Sequence, residues 1–378
     1  MTQTGAVQGL SVRPARRADM RAFVRFPWTI YRDDPHWVPP LIRRERRRLS
    51  PAANPFFEHA SIQPFVAIRD RRMAGRIAAI VDDRHNEYHG EAAGFFGFFE
   101  CMDDADVAAE LLQAAGDWLR VRGMTVMRGP FNPSTSDSLG ILVDGFGSPP
   151  AFLMAYNPPY YPGLLERAGL GKARDLYAYY MHSSESEIPP KIARVAAAVR
   201  KRQGVSVRGG DPRRIRAEMD LIKLIHNEAS GRNWGFVPKT EAELDRMARD
   251  LKRLVDPELA LFAFVHGEPA GFSLALPDWN QAFRNLNGRL FPFGYLKLLR
   301  DRRHINLLRV YTTGVRPRFR NLGLDAIFYY ETWVRGVGRG LLGGEFSWVL
   351  EDNVNMRNTL ENMGARRHKT YRIYERSL

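Results

Sequence analysis

The stretch that decides the fold runs from Leu307 to Asp325 and reads Leu-Leu-Arg-Val-Tyr-Thr-Thr-Gly-Val-Arg-Pro-Arg-Phe-Arg-Asn-Leu-Gly-Leu-Asp. Its first nine residues are rich in β-branched side chains, which predicts a buried strand. A basic segment with a glycine at Gly323 follows, and then an apolar pattern that predicts a helix. A strand that turns into a helix in this way points backbone N–H groups outward at the positive end of the helix dipole. The stretch therefore predicts an anion-binding turn, and a structural turn with solvated arginines is the alternative.

The chain repeats itself with an offset of about 195 residues. Predicted hairpins begin at Phe65 and Leu261, and the pair Leu165-Glu166 is matched by Leu360-Glu361. One intermediate match has an offset of 215, which indicates an insertion of about 20 residues in each half. Ordered matches of this kind are typical of a duplicated unit rather than of chance.

The repeat predicts an α/β protein with two similar domains, each with a mixed central β-sheet flanked by helices. The expected boundaries are a first domain at 1–182, a linker at 183–203 and a second domain at 204–378. The linker contains Pro189-Pro190 at the start of a short helical pattern.

The second half resembles the GNAT acyltransferase superfamily. The pattern Val315-x-Pro317-x-x-Arg320-x-x-Gly323 between a strand and a helix is similar to the acyl-CoA signature of that superfamily, and so is Asn355 followed by Leu360–Ala365. The duplicated order of elements is similar to the tandem GNAT arrangement. Two positions depart from the pattern: Asp325 stands where the signature usually has Gly or Ala, and Leu360 stands where many relatives carry a catalytic Tyr.

The resemblance implies that acyl-CoA is the co-substrate and that its pyrophosphate binds the turn. The residues expected to contact it are Thr313, Gly314, Val315, Arg316, Arg320, Asn321, Leu322, Gly323, Leu324, Asp325 and Asn355. In the first half, the positions equivalent to Arg320 and Gly323 are Ala105 and Ala108, and acidic residues surround them. Like charge would repel a pyrophosphate there, so we expect one acyl-CoA site per chain.

The insertion of the first half, residues 129–161, is rich in Pro, Gly, Asn and Tyr. Such a composition is typical of a long shaped loop, and it suits either the wall of an acceptor pocket or a plain turn scaffold. The residues predicted to bind substrate are Asn132, Ser134, Asp137, Asn157, Tyr160 and Tyr161. With Ser347–Asn353 and Lys369–Glu375, this loop resembles the bacterial ceramide synthase-like branch of the superfamily, which implies N-acylation of an amine.

The reaction implied by the resemblance needs an oxyanion site and a base. Backbone N–H groups from Thr312 to Val315 are expected to polarise the thioester carbonyl. The predicted catalytic residues are the carboxylates Glu351 and Asp278 as bases and Tyr311, Tyr371 and Tyr374 as acids. Scattered His residues and a lone Cys101 predict no metal site.

The insertion of the second half, Leu290–His304, combines apolar and aromatic residues with a basic cluster. It is predicted to line an acyl tunnel or to meet an anionic membrane surface, and a lid helix packed on its own domain is the alternative. The first ten residues lack the pattern of a signal peptide, so the expected location is the cytoplasm, with peripheral contact at the inner membrane face.

Charge leaves a different class of function open. The net charge is +14, and eight Lys among the 56 basic residues leave 48 Arg. A nucleic-acid-binding protein is one alternative, although the arginines are scattered and no interleaved aromatic cluster accompanies them. The predicted function is transfer of an acyl group from acyl-CoA to an amine, with a long-chain, sphingoid-type base as the expected acceptor. The other alternative is a GNAT acetyltransferase that acts on a soluble small-molecule amine.

Overall fold

The computed structural model describes residues 9–134, 137–184, 187–231 and 233–378. The elements of the first part of the chain are β1 (Leu10–Pro14), α1 (Met20–Arg25), α2 (Pro27–Ile30), α3 (Ile42–Arg48), β2 (Ala60–Arg69), β3 (Arg72–Asp82), α4 (Asp83–His89), β4 (Ala93–Cys101), α5 (Ala105–Arg120), β5 (Val126–Gly129), β6 (Phe131–Asn132), β7 (Ser138–Leu139), β8 (Ile141–Asp144), α6 (Tyr161–Arg167) and β9 (Gly171–His182). Those that follow are α7 (Pro190–Lys201), β10 (Val205–Gly209), α8 (Ile215–Ser230), α9 (Glu241–Leu251), β11 (Ala260–Val265), β12 (Glu268–Pro277), α10 (Asn280–Phe283), α11 (Gly294–Asp301), β13 (Leu307–Val315), α12 (Leu324–Gly338), β14 (Gly343–Leu350), α13 (Val354–Asn362) and β15 (Arg366–Ser377).

The predicted fold class is confirmed: the chain forms two compact α/β units, each with a mixed sheet and flanking helices. The first unit comprises the described residues of Met1–Asp175 together with Leu286–Pro292 and Thr370–Leu378. The second unit comprises Leu176–Asn285 and Phe293–Lys369. Both units contain the order of elements that the repeat predicts, with an antiparallel hairpin followed by strands that alternate with helices.

The residue ranges of the two compact units do not coincide with the predicted domain boundaries at 182 and 204. Most of β9, which ends the first half of the sequence, pairs with β14 in the second unit, while β15 at the end of the chain pairs with β5 in the first. The linker predicted at 183–203 contains α7, whose Ala196 and Val199 pack in the core of the second unit; residues 185 and 186 lie outside the described residues. Local patterns predict a terminal strand in each half, but its partner depends on non-local pairing.

The sheet of the second unit has the strand order β10-β11-β12-β13-β14-β9. Strands β10 to β13 are antiparallel neighbours, whereas β13 and β14 run parallel. Leu308 and Val310 of β13 pack with Tyr329 of α12, so that face of the sheet is apolar. Because side chains alternate along a strand, Arg309 between them lies on the opposite face.

In the first unit, β1 to β5 occur in the same relative order and β15 completes the row. Helix α5 begins at an Asp104 N-cap whose carboxylate accepts hydrogen bonds from the N–H groups of Asp106 and Val107. Its apolar face, which includes Leu111 and Leu112, is buried in the core of the unit. Here the cap and the amphipathic pattern agree on the start of the helix.

Candidate active site

A gap opens between the parallel strands β13 and β14 of the second unit. Their pairing begins at Leu307 with Gly343 and extends to Val310 with Phe346, whereas β13 itself continues to Val315. The register of β13 against β12 shifts at the same level, so Tyr311 is the extra residue of a β-bulge. A bulge bends a strand away from its neighbour, which separates the two strands. The backbone of Thr312–Val315 therefore borders an opening on its β14 side.

The turn after β13 has the geometry of an anion cradle. Asn321 and Gly323 have positive φ angles of 65° and 79°, and Gly323 is the N-cap of α12. No side chain of the described residues caps this helix, whose 15 residues begin at Leu324. The N–H groups of a first helical turn have no acceptor within their own helix, and the helix dipole adds partial positive charge. These groups fit a pyrophosphate.

The three arginines of the turn are not equivalent. Arg316 is nearly buried and forms a bidentate ion pair with Glu228 of α8, with N–O distances of 2.8 and 2.6 Å. It also donates to the carbonyl of Pro269, so its guanidinium fixes the turn to the domain. Arg318 pairs with Glu268 at 2.5 Å. Arg320 is exposed and donates only a 3.2 Å bond to a backbone carbonyl among the contacts found in the described structure, which makes it the arginine best placed to meet phosphate.

The other predicted cofactor-binding residues differ in whether their backbone or their side chain could contact a ligand. Thr313, Gly314 and Val315 lie on the part of β13 that borders the gap; backbone groups alternate between the two edges of a strand, so only some of theirs face the gap and the others face β12. The side chain of Leu324 is buried in the core, which leaves only its N–H for an anion. Asn355 is exposed in the first turn of α13, beyond the end of β14. Contact of these residues with acyl-CoA stays a prediction.

The chain itself fills the equivalent gap in the first unit. The parallel pairing of β4 and β5 extends only from Ala93 to Phe95, while β4 continues to Cys101. In the open part, the side-chain oxygen of Asn132 accepts a 2.6 Å hydrogen bond from the N–H of Phe98. The approach is so close that a Cβ on Gly97 would lie 1.7 Å from the carbonyl oxygen of Phe131. The carboxylate of Asp104 also caps α5. The described first unit therefore has neither an open gap between its parallel strands nor an uncapped helix N-terminus after β4.

This packing gives the predicted substrate residues of the first half structural contacts. Asn157 is 3% exposed, and its amide bonds the backbone of Leu142 and Pro158. Tyr160 and Tyr161 bond the backbone carbonyl and N–H of Cys101. Asn132 bonds Phe98 and Ser138, and Ser134 donates to Asp137 at 2.8 Å. Residues 135 and 136 of this loop lie outside the described residues. The amides of Asn132 and Asn157 thus hold the loop in shape, and acceptor binding by the loop stays a prediction.

The two predicted carboxylate bases lie at opposite edges of the sheet, after the two strands that flank β13. Glu351 follows the carboxyl end of β14, at the same edge as the anion turn. Asp278 follows β12, and its N–H donates to the carbonyl of Leu307 at the start of β13. Strands rise about 3.3 Å per residue, so Asp278 is roughly a dozen ångströms or more along the strand from Thr312.

Of the predicted tyrosine acids, Tyr311 lies at the bulge, with its ring centroid 5.1 Å from the guanidinium of Arg309. Tyr371 and Tyr374 have no exposed surface and belong to the first unit. Burial and the 3.0 Å hydrogen bond to Glu166 raise the pKa of Tyr374. A phenol held this firmly is a poor proton donor to a substrate, so packing accounts for Tyr374 better than catalysis does.

A buried polar network that the sequence analysis missed lies on the sheet face opposite α12. Arg309 is 2% exposed and donates to the side-chain and backbone oxygens of Ser347 at 2.9 and 3.0 Å. The Ser347 hydroxyl donates to Glu345, whose other oxygen is 2.9 Å from Nε2 of His368. The ring of Tyr180 lies beside His368, with 5.4 Å between centroids. Arg309 and Glu345 face each other one pair before the two strands separate.

The network keeps a carboxylate ionised inside the protein. Burial alone would raise the pKa of Glu345, but the contacts with His368, Ser347 and Arg309 together lower it below its ordinary value. An ionised Glu345 accepts a hydrogen bond from Nε2–H of His368, which leaves the other ring nitrogen free to take a proton in the neutral imidazole. The His368 side chain is 26% exposed, so this imidazole has access to the surface. A histidine oriented by a carboxylate is a general arrangement for proton transfer.

One signal in the sequence could have indicated this network. Arg309 and Glu345 each interrupt an apolar strand segment, Leu-Leu-Arg-Val and Gly-Gly-Glu-Phe. A charge in a buried strand is costly unless a partner neutralises it, so two such interruptions predict a pair. Their pairing depends on the parallel register of β13 and β14, which the sequence does not show.

The insertion of the second half is exposed. Phe291, Phe293, Tyr295 and Leu296 have exposed fractions of 76, 70, 52 and 65%. The basic residues Lys297, Arg300, Arg302 and Arg303 are exposed beside them. This is not the environment of a tunnel wall, and a packed lid would bury the aromatic rings.

The described residues include neither a bilayer-spanning helix nor a cluster of metal ligands. No helix among them combines the length and the apolar composition that crossing a bilayer requires. No group of three or more His, Cys, Asp or Glu side chains among them has an arrangement that could hold a metal ion.

Comparison with known proteins places this geometry in context. No protein-family model matches the chain. It is 38% identical over 379 residues to "Bacterial ceramide synthase" of Caulobacter vibrioides, which covers 98% of each chain. It is 36% identical over 384 residues to "Protein YghO" of Escherichia coli, which covers 100% of this chain and 98% of the relative.

Solved structures show the same fold at low identity. A tandem GNAT protein from the clavulanic acid biosynthesis pathway has a TM-score of 0.58 with 11% identity and covers 97% of this chain and 98% of its own. A GCN5-related N-acetyltransferase from Sphaerobacter thermophilus has a TM-score of 0.55 with 14% identity and covers 98% and 96%. The duplicated fold that the repeat predicts is thus confirmed over nearly the whole chain.

Proposed function

The chain belongs to the bacterial ceramide synthase-like branch of the tandem GNAT acyl-CoA N-acyltransferases, and we propose that it transfers a long acyl chain to the amine of a long-chain, sphingoid-type base. The observation that carries this choice of acceptor is the identity of 38%, over 98% of both chains, to a protein named bacterial ceramide synthase. The product would be an N-acylated long-chain base, and the second product would be free coenzyme A.

The donor site of this proposal is in the second unit alone. The N–H groups at the start of α12 and the exposed Arg320 would hold the pyrophosphate. The backbone of Thr312–Val315 would line the gap that holds the thioester and would polarise its carbonyl group. N–H groups directed at a developing oxyanion stabilise it. Asp325 adds an exposed carboxylate to the first turn of α12, which weakens anion binding without blocking the N–H groups.

The acceptor amine must be neutral to attack, so a base is needed near the gap. His368, oriented by Glu345, takes the proton of the amine as the N–C bond forms. The C–S bond breaks as the tetrahedral centre collapses, and the departing sulfur receives a proton from Tyr311 at the bulge. In this scheme Glu345 is a positioning residue, and Glu351 remains the alternative base at the edge of the gap.

The proposal also includes contact with a membrane surface, because a long-chain base is held in a bilayer. The exposed aromatic and apolar side chains at 291–296 are adjacent to four exposed basic residues. Such a combination suits the interface of an anionic bilayer, where apolar groups enter the headgroup region and cations meet lipid phosphates.

The product of the purified enzyme tests the proposal. With sixteen-carbon acyl-CoA and a C18 long-chain base in mixed micelles, mass spectrometry is expected to find the N-acylated base. The value of kcat/KM is expected to be at least about a hundredfold greater than with acetyl-CoA and a soluble amine such as glucosamine, since apolar burial distinguishes the two pairs. Faster acetylation of the soluble amine would replace this proposal with the soluble-amine alternative.

A further inference from the structure

Helix α3 of the first unit presents a row of arginines to solvent. Arg43, Arg46 and Arg47 are exposed, and their spacing of three and four residues places them on one face of the helix. Glu45 is buried and pairs with Arg48 at 2.8 Å, so the other face of α3 is directed into the unit. None of the three exposed guanidinium groups forms an ion pair with another described residue. We call these three residues the arginine stripe.

The arginine stripe lies in a strongly basic stretch of the chain. Residues 13–48 contain eleven Arg and four Asp or Glu, a net charge of +7, which is half of the +14 of the whole chain. Two of the four carboxylates, those of Asp19 and Glu45, already form ion pairs with arginines of the same stretch. Arg17 and Arg21, which flank the start of α1, are also exposed, and α1 packs against α3. Positive charge is therefore concentrated around these two helices.

An exposed aromatic side chain lies close to this basic surface. The segment Leu286–Pro292 belongs to the first unit, and the carbonyl of Gly288 accepts a 3.1 Å hydrogen bond from the N–H of Ile42, the first residue of α3. The contact is close, because a Cβ on Gly288 would lie 3.2 Å from the Ile42 side chain. Phe291 follows three residues later, so it lies within roughly 11 Å of Gly288, and it is 76% exposed. An apolar side chain thus accompanies the N-terminal end of α3.

The surroundings of the arginine stripe distinguish between two anionic partners, a nucleic acid and a membrane. Single-stranded nucleic acids bind to exposed aromatic rings on which their bases stack. The rings of Phe23, Phe26 and Tyr31 within the basic stretch are buried. An exposed aromatic side chain beside arginines suits a bilayer, since the ring can enter the headgroup region while the guanidinium groups meet lipid phosphates. The observations therefore favour an anionic bilayer.

We propose that the arginine stripe binds the phosphate groups of anionic lipids and, with Phe291, holds the first unit on the bilayer that carries the acceptor. The inference rests on the proposed function and extends its membrane contact from the insertion of the second half to a surface of the first unit. The described first unit has no open gap for a donor, and this surface gives it a separate role. It keeps the enzyme at the interface from which a long-chain base is taken.

Removing the charge of the arginine stripe tests the inference. A basic side chain near an anionic surface strengthens binding by roughly fivefold. The triple variant Arg43→Gln/Arg46→Gln/Arg47→Gln is therefore expected to weaken binding to phosphatidylglycerol–phosphatidylethanolamine vesicles by roughly a hundredfold. Turnover of a long-chain base in neutral detergent micelles should stay within about twofold of wild type, because the stripe takes no part in the chemistry.

The matched control removes the same charge from exposed positions elsewhere in the first unit, in the variant Arg71→Gln/Arg72→Gln/Arg167→Gln. It should weaken vesicle binding by less than about threefold, since screening limits the effect of distant charges. Equal weakening by both triple variants, or undiminished vesicle binding by a stripe variant with normal micelle turnover, would overturn the inference.

Two results with the wild-type protein would overturn it as well. One is the absence of binding to the anionic vesicles, and the other is tighter binding to a single-stranded RNA oligonucleotide that is lost in the stripe variant. Neither result affects the proposed function if the base is still acylated in micelles. Stripe-dependent vesicle binding without acylation of the base would overturn the proposed function alone.

Discussion

Replacing His368 with glutamine is expected to lower kcat for acyl transfer by about 10²- to 10⁴-fold, the usual contribution of a general base. Glutamine retains a polar side chain of similar reach but cannot accept a proton at neutral pH. Because His368 lies outside the donor turn, the dissociation constant of acyl-CoA should change by less than about threefold. Steady-state kinetics and calorimetry measure the two quantities separately.

Two further variants distinguish catalysis from structural support. Glu345→Gln is expected to lower kcat less than His368→Gln does, because the imidazole remains in place but loses the carboxylate that orients it. His266→Gln replaces an exposed histidine in the turn between β11 and β12 and should leave kcat unchanged. If the His368→Gln protein retains more than a tenth of the wild-type kcat while the Glu351→Gln protein retains less than a tenth, Glu351 is the base.

Serine at Phe291, Phe293 and Leu296 is expected to weaken binding to anionic vesicles by at least about a hundredfold. Full burial of a large apolar side chain contributes about 1.5–3 kcal/mol, so even partial insertion of three of them amounts to this factor. Sedimentation with phosphatidylglycerol–phosphatidylethanolamine vesicles measures the affinity. Turnover of a base carried in those vesicles should fall in parallel, while turnover in detergent micelles is less affected.

The control for this experiment uses exposed apolar residues elsewhere. Val121 and Val354 are 84% and 52% exposed, and serine at both positions should leave vesicle binding unchanged. Salt should weaken binding of the wild-type protein, because the basic residues at 297–303 are exposed and screened. Absence of wild-type binding to the anionic vesicles would contradict membrane contact through this segment.

The fold was predictable because its information is local and repeated. The pattern at Leu307–Asp325 predicts the strand, the turn and the helix, and the structure has β13 and α12 at those positions. The exchange of β9 and β15 between the units was not predictable, since strand partners depend on pairing between distant segments. The acidic turn of the first half predicts that this half binds an anion poorly, but the contacts by which Phe131 and Asn132 fill its strand gap required the structure.

The candidate site was predictable in its backbone and less so in its side chains. Gly323 has the positive φ angle that the turn requires. Arg316, however, forms a bidentate ion pair with Glu228 of α8, a contact between distant segments that sequence spacing does not reveal. His368 was missed for the same reason: its partner Glu345 is 23 positions away along the chain.

The most direct test of the account is a crystal structure of the chain with a non-hydrolysable sixteen-carbon acyl-CoA thioether. The account predicts one bound molecule per chain, with the pyrophosphate on the turn 320–325 and the sulfur between β13 and β14. The gap between β4 and β5 should still hold Asn132 against Phe98. A molecule bound between β4 and β5, or one that makes no contact with the turn 320–325, would contradict the central claim that only the second unit carries the acyl-CoA site.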